Sequence, residues 1–207
     1  MILVVFALKE EAQDFVRWLE KNPRQVRVEM IGVGAESVEQ RLLELLEKWQ
    51  PERLILAGFA GALTNELQLG CVFCASNFST SPSDLPQAIL HSSSSVIETA
   101  AERAALAEKT GASCVDMESA TVSRIAVGIP LLVLRAITDT PDAPIPIPFS
   151  VSYDLAKQKI QSSSILFWLM TRPARWPAFI RFLRDVRCAR RALTDALIGS
   201  LNRLQLD

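Results

Sequence analysis

Apolar residues run unbroken from Ile2 to Ala7, as in a strand covered on both faces. From Glu10 to Glu20 the period changes, and Ala12, Phe15, Val16 and Leu19 fall on one helical face. Val26–Val33 alternates as a second strand and closes in Gly32-Val33-Gly34. Ser37 to Trp49 is helical again, with Val38, Leu42, Leu45 and Leu46 inward. Leu54–Ala57 is expected to be a third strand ending in a Gly58-Phe59-Ala60-Gly61 loop, and Cys71–Ala75 a fourth. Ser76–Asp84 and Ser92–Ser95 are polar and predict loops, and Glu98–Lys109 predicts a helix. Ser113–Val115 leads into Asp116-Met117-Glu118-Ser119 and a helix to about Val127; Leu131–Ile137 is another buried strand.

Strands alternating with amphipathic helices predict an α/β fold. Its centre is a three-layer, mostly parallel twisted sheet with helices on both faces, followed by C-terminal helices. The four prolines between Pro141 and Pro148 force an extended loop. Beyond it the chain changes character. Thr171–Arg191 holds seven arginines against one acidic residue, while Trp176, Phe179, Ile180, Leu183 and Val186 keep a helical stripe. The 207 residues suit one sizeable core, so 1–207 is read as one domain, with 151–207 a basic amphipathic helical region.

Composition removes several classes. An apolar share of 49% with a formal net charge of −1 excludes a disordered polyelectrolyte and gives no sign of a nucleic-acid partner. Cys71 and Cys74 form a C-x-x-C, but no second pair accompanies it and His91 is the only histidine. Neither a metal nor another cofactor is expected, and the four thiols suit a reducing cytoplasm. The apolar start lacks a basic leader and runs into Lys9-Glu10-Glu11, which suits a buried strand and not a signal peptide. Ile165–Met170 is far short of the roughly 20 apolar residues of a membrane-spanning helix.

Ligands of parallel α/β sheets bind beyond the carboxyl ends of the strands. Three acids stand there: Glu11, with Glu10 beside it, Glu118 and Asp139. A single acid after a strand is often only a cap or a solvated turn. Three on one rim suit acid–base chemistry, which needs carboxyls in different environments.

The motifs carrying these acids resemble the nucleoside phosphorylase and methylthioadenosine nucleosidase family over nearly all of 1–142. In order they are Ala7-Leu8-Lys9-Glu10-Glu11, Gly32-Val33-Gly34, Ala57-Gly58-Phe59-Ala60-Gly61-Ala62, Val115-Asp116-Met117-Glu118-Ser119-Ala120 and Arg135-Ala136-Ile137-Thr138-Asp139. The resemblance implies cleavage of a base–ribose bond, with Asp139 donating a proton to purine N7. Glu118 would hold the ribose hydroxyls, Met117 would pack under the sugar, and Glu11 would activate the attacking water. Val96 and Ile97 stand where the family places base contacts. Phosphate-using relatives carry an arginine and a serine around the glycine of the third-strand loop. Here those places hold Leu56 and Phe59, so hydrolysis is favoured, although backbone N–H groups at Gly32 and Gly34 offer a weak anion site.

The stretch from Ser76 to Glu118 is shorter than in relatives that carry a lid, which implies an open pocket for a bulky 5′ group. The short chain and basic aromatic tail also resemble the hopanoid-associated branch, which releases adenine from the lipid-linked nucleoside adenosylhopane. An aromatic and arginine-rich helix suits a membrane surface; it equally suits packing on the protein's own core or on a subunit. The expected partners are thus a small-molecule nucleoside, a membrane surface met through the C-terminal helix, and further copies in a homo-oligomer. The expected location is the cytoplasm, including a peripheral position at the inner face of the membrane. Two alternatives remain, a phosphate-dependent phosphorylase and a non-catalytic nucleoside-binding protein at a membrane.

Overall fold

The computed structural model describes residues 1–204; the end of the expected helical tail, 205–207, lies outside them. The chain runs β1 (Ile2–Phe6), α1 (Lys9–Lys21), β2 (Val26–Met30), α2 (Ala35–Trp49), β3 (Arg53–Ala62), β4 (Val72–Ala75), β5 (Gln87–Ala88) and β6 (Leu90–Ser92). It continues through α3 (Ala100–Thr110), β7 (Cys114–Asp116), α4 (Ser119–Ile125), β8 (Leu131–Asp139) and α5 (Phe149–Ser152). A hairpin of β9 (Tyr153–Asp154) and β10 (Lys159–Ile160) follows, then α6 (Ser162–Met170), a turn at Pro173–Arg175 and α7 (Trp176–Leu204).

The first eight strands form one sheet, ordered β2-β1-β3-β8-β4-β5, with β7 added beside β3 and β6 beside β7. β2, β1, β3 and β8 are mutually parallel, and β4 lies antiparallel to β8. The expected mostly parallel α/β sheet is therefore present. Alternate residues of its buried strands face opposite layers, as the period of two requires. Leu3 and Val5 of β1, with Leu54 and Leu56 of β3, pack with Val38, Leu42 and Leu45 of α2 and Val122 of α4. Val4 and Phe6, with Ile55 and Ala57, pack with Phe15 of α1 and with Leu193, Leu197 and Leu201 of α7.

The third strand differs from expectation. It does not stop at Ala57 but continues through Gly58-Phe59-Ala60-Gly61 to Ala62. Its register with β8 shifts between Ala60 and Gly61, and there its last two residues also pair with β7. Such an irregularity bends a strand. The bend brings the β7–α4 junction beside the end of β8.

The C-terminal region is only partly as expected. The β9–β10 hairpin interrupts it, and no buried residue of α7 lies before Ala189. Packing on the protein's own core thus accounts for the second half of α7 and not the first. Among the described residues no helix is long and apolar enough to cross a membrane.

The two halves of α7 should respond differently to truncation. Leu197, fully buried, should cost about 2–5 kcal/mol when replaced by alanine. Ile180, 62% exposed, should change stability by no more than about 0.5 kcal/mol in Ile180→Ala. Urea unfolding of both variants checks this; equal losses would mean that the first half is packed after all.

Candidate active site

A cavity of about 160 Å³ opens at the carboxyl ends of β1, β3, β7 and β8. Glu11, Glu118 and Asp139 all line it, as do Met117, Phe59, Val96 and Ile97. Local structure explains how each acid gets there. Glu11 lies in the first turn of α1, where its side chain reaches back over the end of β1. Its Oε2 accepts the Leu8 N–H at 3.0 Å and its Oε1 accepts the Phe59 N–H at 2.9 Å. Glu118 is the residue before α4, and Asp139 is the last residue of β8.

Gly32 and Gly34 do not reach this cavity, although Val33 between them does. Gly32 lines a separate groove of about 880 Å³, which meets the cavity at Ala7 and Leu8. The Val33 N–H donates to Oε1 of Gln158 at 2.7 Å, and Gln158 Nε2 returns a bond to the Val33 carbonyl at 2.9 Å. The β9–β10 hairpin therefore already uses a donor of the expected anion loop.

Two arginines that the sequence reading passed over organise the acids. Arg135, from the middle of β8, has no solvent exposure. Its Nη2 pairs with Asp116 Oδ2, lies 3.2 Å from Ser119 Oγ and stands 3.6 Å from Glu118 Oε2. Arg103, from α3, is also buried; Nη2 pairs with Asp139 Oδ2 and Nη1 donates to the Ala62 carbonyl at 2.8 Å. Thr138 donates to the other oxygen of Asp139 at 3.0 Å.

Both arginines left a signal. Arg135 is a charge inside the run Leu131–Ile137, and Arg103 falls on the same helical face as Leu106 and Ala107. A charge within an apolar stripe is rarely buried without a partner.

These pairs explain the glycines of β3. A Cβ at Gly58 would collide with Arg135 Nη1, and one at Gly61 would stand 2.8 Å from Asp139 Oδ2 and 3.1 Å from Arg103 Nη1. The glycines are strand residues that leave room for buried guanidinium groups. They are not turn residues.

Burial pushes the Glu11 carboxyl above its usual range, against the opposing pull of Arg135. Burial, helped by the charge of Asp116, raises Glu118 to about 8. Asp139 is likewise raised by burial, with Arg103 and Thr138 working against it. Burial works against the charge of Arg135, but Asp116, Glu118 and Glu11 outweigh it and hold the proton more tightly. The buried charges thus form two clusters along β3: Asp139 with Arg103 against Gly61, and Glu11 with Arg135 against Gly58, Arg135 also standing beside Asp116 and Glu118. Among the described residues no group of three or more His, Cys, Asp or Glu side chains is placed to hold a metal ion.

Two measurements follow from this arrangement. Glu118 has a folded pKa of about 8 against an ordinary 4.5, so the folded state binds more protons between those values. Its stabilising contribution is complete below the lower value and fades as pH rises through the upper one. Thermal midpoints should therefore fall from about pH 5 to about pH 8 more steeply in wild type than in Glu118→Gln. Parallel curves would refute this. Removing Arg135 as Arg135→Met strands buried carboxylates and should cost about 3–5 kcal/mol in denaturant unfolding; a loss below about 1 kcal/mol would show that the acids are neutral without it.

Known proteins share this fold. Residues 7–90 match the model of the phosphorylase superfamily. No curated protein sequence matches the chain. Among solved structures, a putative 5′-methylthioadenosine/S-adenosylhomocysteine nucleosidase of Francisella philomiragia superposes with a TM-score of 0.67 at 15% identity, covering 98% of either chain. The 5′-methylthioadenosine nucleosidase of Arabidopsis thaliana gives 0.64 at 16% identity, covering 97% of this chain and 94% of that one. Futalosine hydrolase of Helicobacter pylori gives 0.64 at 14% identity, covering 96% and 97%. The chain thus matches the phosphorylase superfamily over residues 7–90 and carries, along nearly its whole length, the fold of these nucleosidases.

Proposed function

We propose that the protein is a purine N-ribosyl hydrolase that releases adenine from a 5′-modified adenosine. The observation that carries this reading is the set of buried acids lining one cavity, divided between Arg135 and Arg103. Asp139 stands beside Arg103, where burial raises its affinity for a proton. It delivers that proton to N7 as the bond from C1′ to the base breaks. The ribose is left oxocarbenium-like, and water attacks C1′ from the opposite face. Glu11 takes the proton of that water. Burial makes its carboxylate a stronger base, and the two backbone N–H groups hold it in place. Glu118 accepts from the ribose hydroxyls, with Met117 packed beneath the sugar, and Val96 and Ile97 flank the base.

Water is favoured over phosphate by charge. Glu11, Asp116, Glu118 and Asp139 are buried around the cavity with only Arg103 and Arg135 among them, and both cations are engaged by these acids. A phosphate dianion would enter a site with acids in excess and no free side-chain cation. The Gly32–Gly34 loop adds little, since the Val33 N–H serves Gln158.

The groove beyond Leu8 suits a large 5′ substituent, for it passes Tyr153 and Ile160 toward α6. A lipid-linked group such as that of adenosylhopane is the finer reading, and it brings the protein to a membrane surface from the cytoplasmic side. A homo-oligomer is the expected assembly.

Adenine release from 5′-methylthioadenosine and from a lipid-linked adenosine, with and without inorganic phosphate, tests the proposal. Release should proceed without phosphate, and Asp139→Asn should lower kcat by about 10²–10⁴-fold. Strict dependence on phosphate would make the protein a phosphorylase. Nucleoside binding with no turnover, or with turnover indifferent to Asp139→Asn, would leave it a binding protein.

A further inference from the structure

Outside the cavity, the largest departure from an ordinary surface is the helical pair made by α6 and the first half of α7. Leu166, Phe167 and Met170 of α6 are 59%, 71% and 67% exposed, and Trp176, Ile180 and Leu183 of α7 are 49%, 62% and 48% exposed. The last three lie at i, i+4 and i+7, one line along the helix. Arg187 continues that line and Arg184 lies beside it. Arg172, Arg175 and Arg181 add further cations, and Asp185 is the only acid between Ser162 and Cys188. The two helices meet at the turn between them. Trp176 Nε1 donates to the Leu169 carbonyl at 2.9 Å, and the Arg172 guanidinium covers the Trp168 ring at 4.9 Å.

We infer that α6, the Pro173–Arg175 turn and the first half of α7 form a docking platform for an anionic lipid bilayer. Exposed apolar side chains flanked by arginines match the layers of a bilayer surface, with acyl chains beneath and charged headgroups above. A second copy of the chain matches less well. Pairing about a two-fold axis would set this patch against itself, bringing five arginines against five with one acid on each side.

The short helix α5 lies between the platform and the cavity. Phe149, which opens α5, lines the cavity and stacks on Tyr153 at 5.6 Å. The next residues, Ser150 and Val151, share a surface depression with Phe167, Trp168 and Arg172. A lipid-linked nucleoside could thus leave its tail at the bilayer while its base reaches Asp139. As a route for substrate this rests on the reading of the site proposed above; as a docking surface it stands separately.

Co-sedimentation of the full chain with phosphatidylcholine vesicles, with and without phosphatidylglycerol, tests it. Wild type should pellet with the anionic vesicles, and less so at high salt. Each arginine near such a surface contributes about fivefold. Arg172→Gln, Arg175→Gln, Arg181→Gln and Arg184→Gln combined should therefore weaken anionic binding by roughly 600-fold. Phe167→Asp with Ile180→Asp should abolish pelleting while far-ultraviolet circular dichroism and thermal midpoint stay at wild-type values. Absence of wild-type pelleting, or pelleting unchanged in both variants, overturns the inference. So does a wild-type dimer in light scattering that Phe167→Asp with Ile180→Asp splits without any vesicle binding, since the face would then join two copies. Adenine release from soluble 5′-methylthioadenosine on the same samples keeps the two claims apart. Its absence there and from the lipid-linked adenosine, with pelleting intact, sinks only the hydrolase reading, and its presence without pelleting sinks only the platform.

Discussion

A charged guanidinium without solvent contact holds this site together. Arg135 sits in the middle of β8, and Asp116, Ser119 and Glu118 meet it from the β7–α4 junction while Glu11 stands near from α1. These segments are far apart in sequence, and each brings charge that would be costly to bury alone. A buried ion pair often adds little net stability over a hydrophobic replacement, yet losing one partner is severe because the other charge stays behind. The cluster therefore specifies arrangement more than it adds stability. It sets which end of β7 lies beside which part of β8, and so where the acids converge.

Room for that cation comes from β3. Gly58 lies opposite Arg135 in the strand register, and Gly61 faces Asp139 at the shift. The absence of two side chains thus does structural work at both clusters. One glycine admits the Arg135 cluster, and the other admits the Arg103–Asp139 pair. Two cations serve four acids, and burial raises the proton affinity of Glu11, Glu118 and Asp139. A set of acids that cannot all be ionised at low cost is what proton donation and proton acceptance in one cavity require.

Much of the fold was legible because its signals are periodic. The unbroken apolar runs of β1 and β8 and the helical stripes of α1 and α2 each have one physical reading, and their order implies the parallel sheet. The glycine-rich stretch of β3 was not legible in the same way. Gly58-Phe59-Ala60-Gly61 reads locally as a turn, and only the guanidinium groups lying against it show why it is a strand. The acids lining the cavity could be named because they follow strands in recognisable motifs. Arg103 left only its place on the face of Leu106 and Ala107; its partner Asp139, 36 residues away, had no local signal. The partner of the Gly32–Gly34 loop was hidden for a related reason: the Gln158 carboxamide that engages Val33 arrives from 125 residues along the chain.

The two halves of α7 separate folding from what lies beyond it. From Ala189 onward the helix buries Leu193, Leu197 and Leu201 against the sheet, and its apolar face is explained by the core. Before Ala189 the same helix keeps an apolar line but buries none of it fully. Helix continuity alone would favour arginine, lysine or glutamate at such exposed positions, where tryptophan and isoleucine bring no advantage in propensity. Large apolar side chains grouped at a surface indicate contact with something other than water. Between that group and the cavity lies α5, whose Phe149 lines the cavity beside buried acids divided between Arg135 and Arg103. The half of α7 that the core explains and the half that it does not thus belong to one unbroken helix.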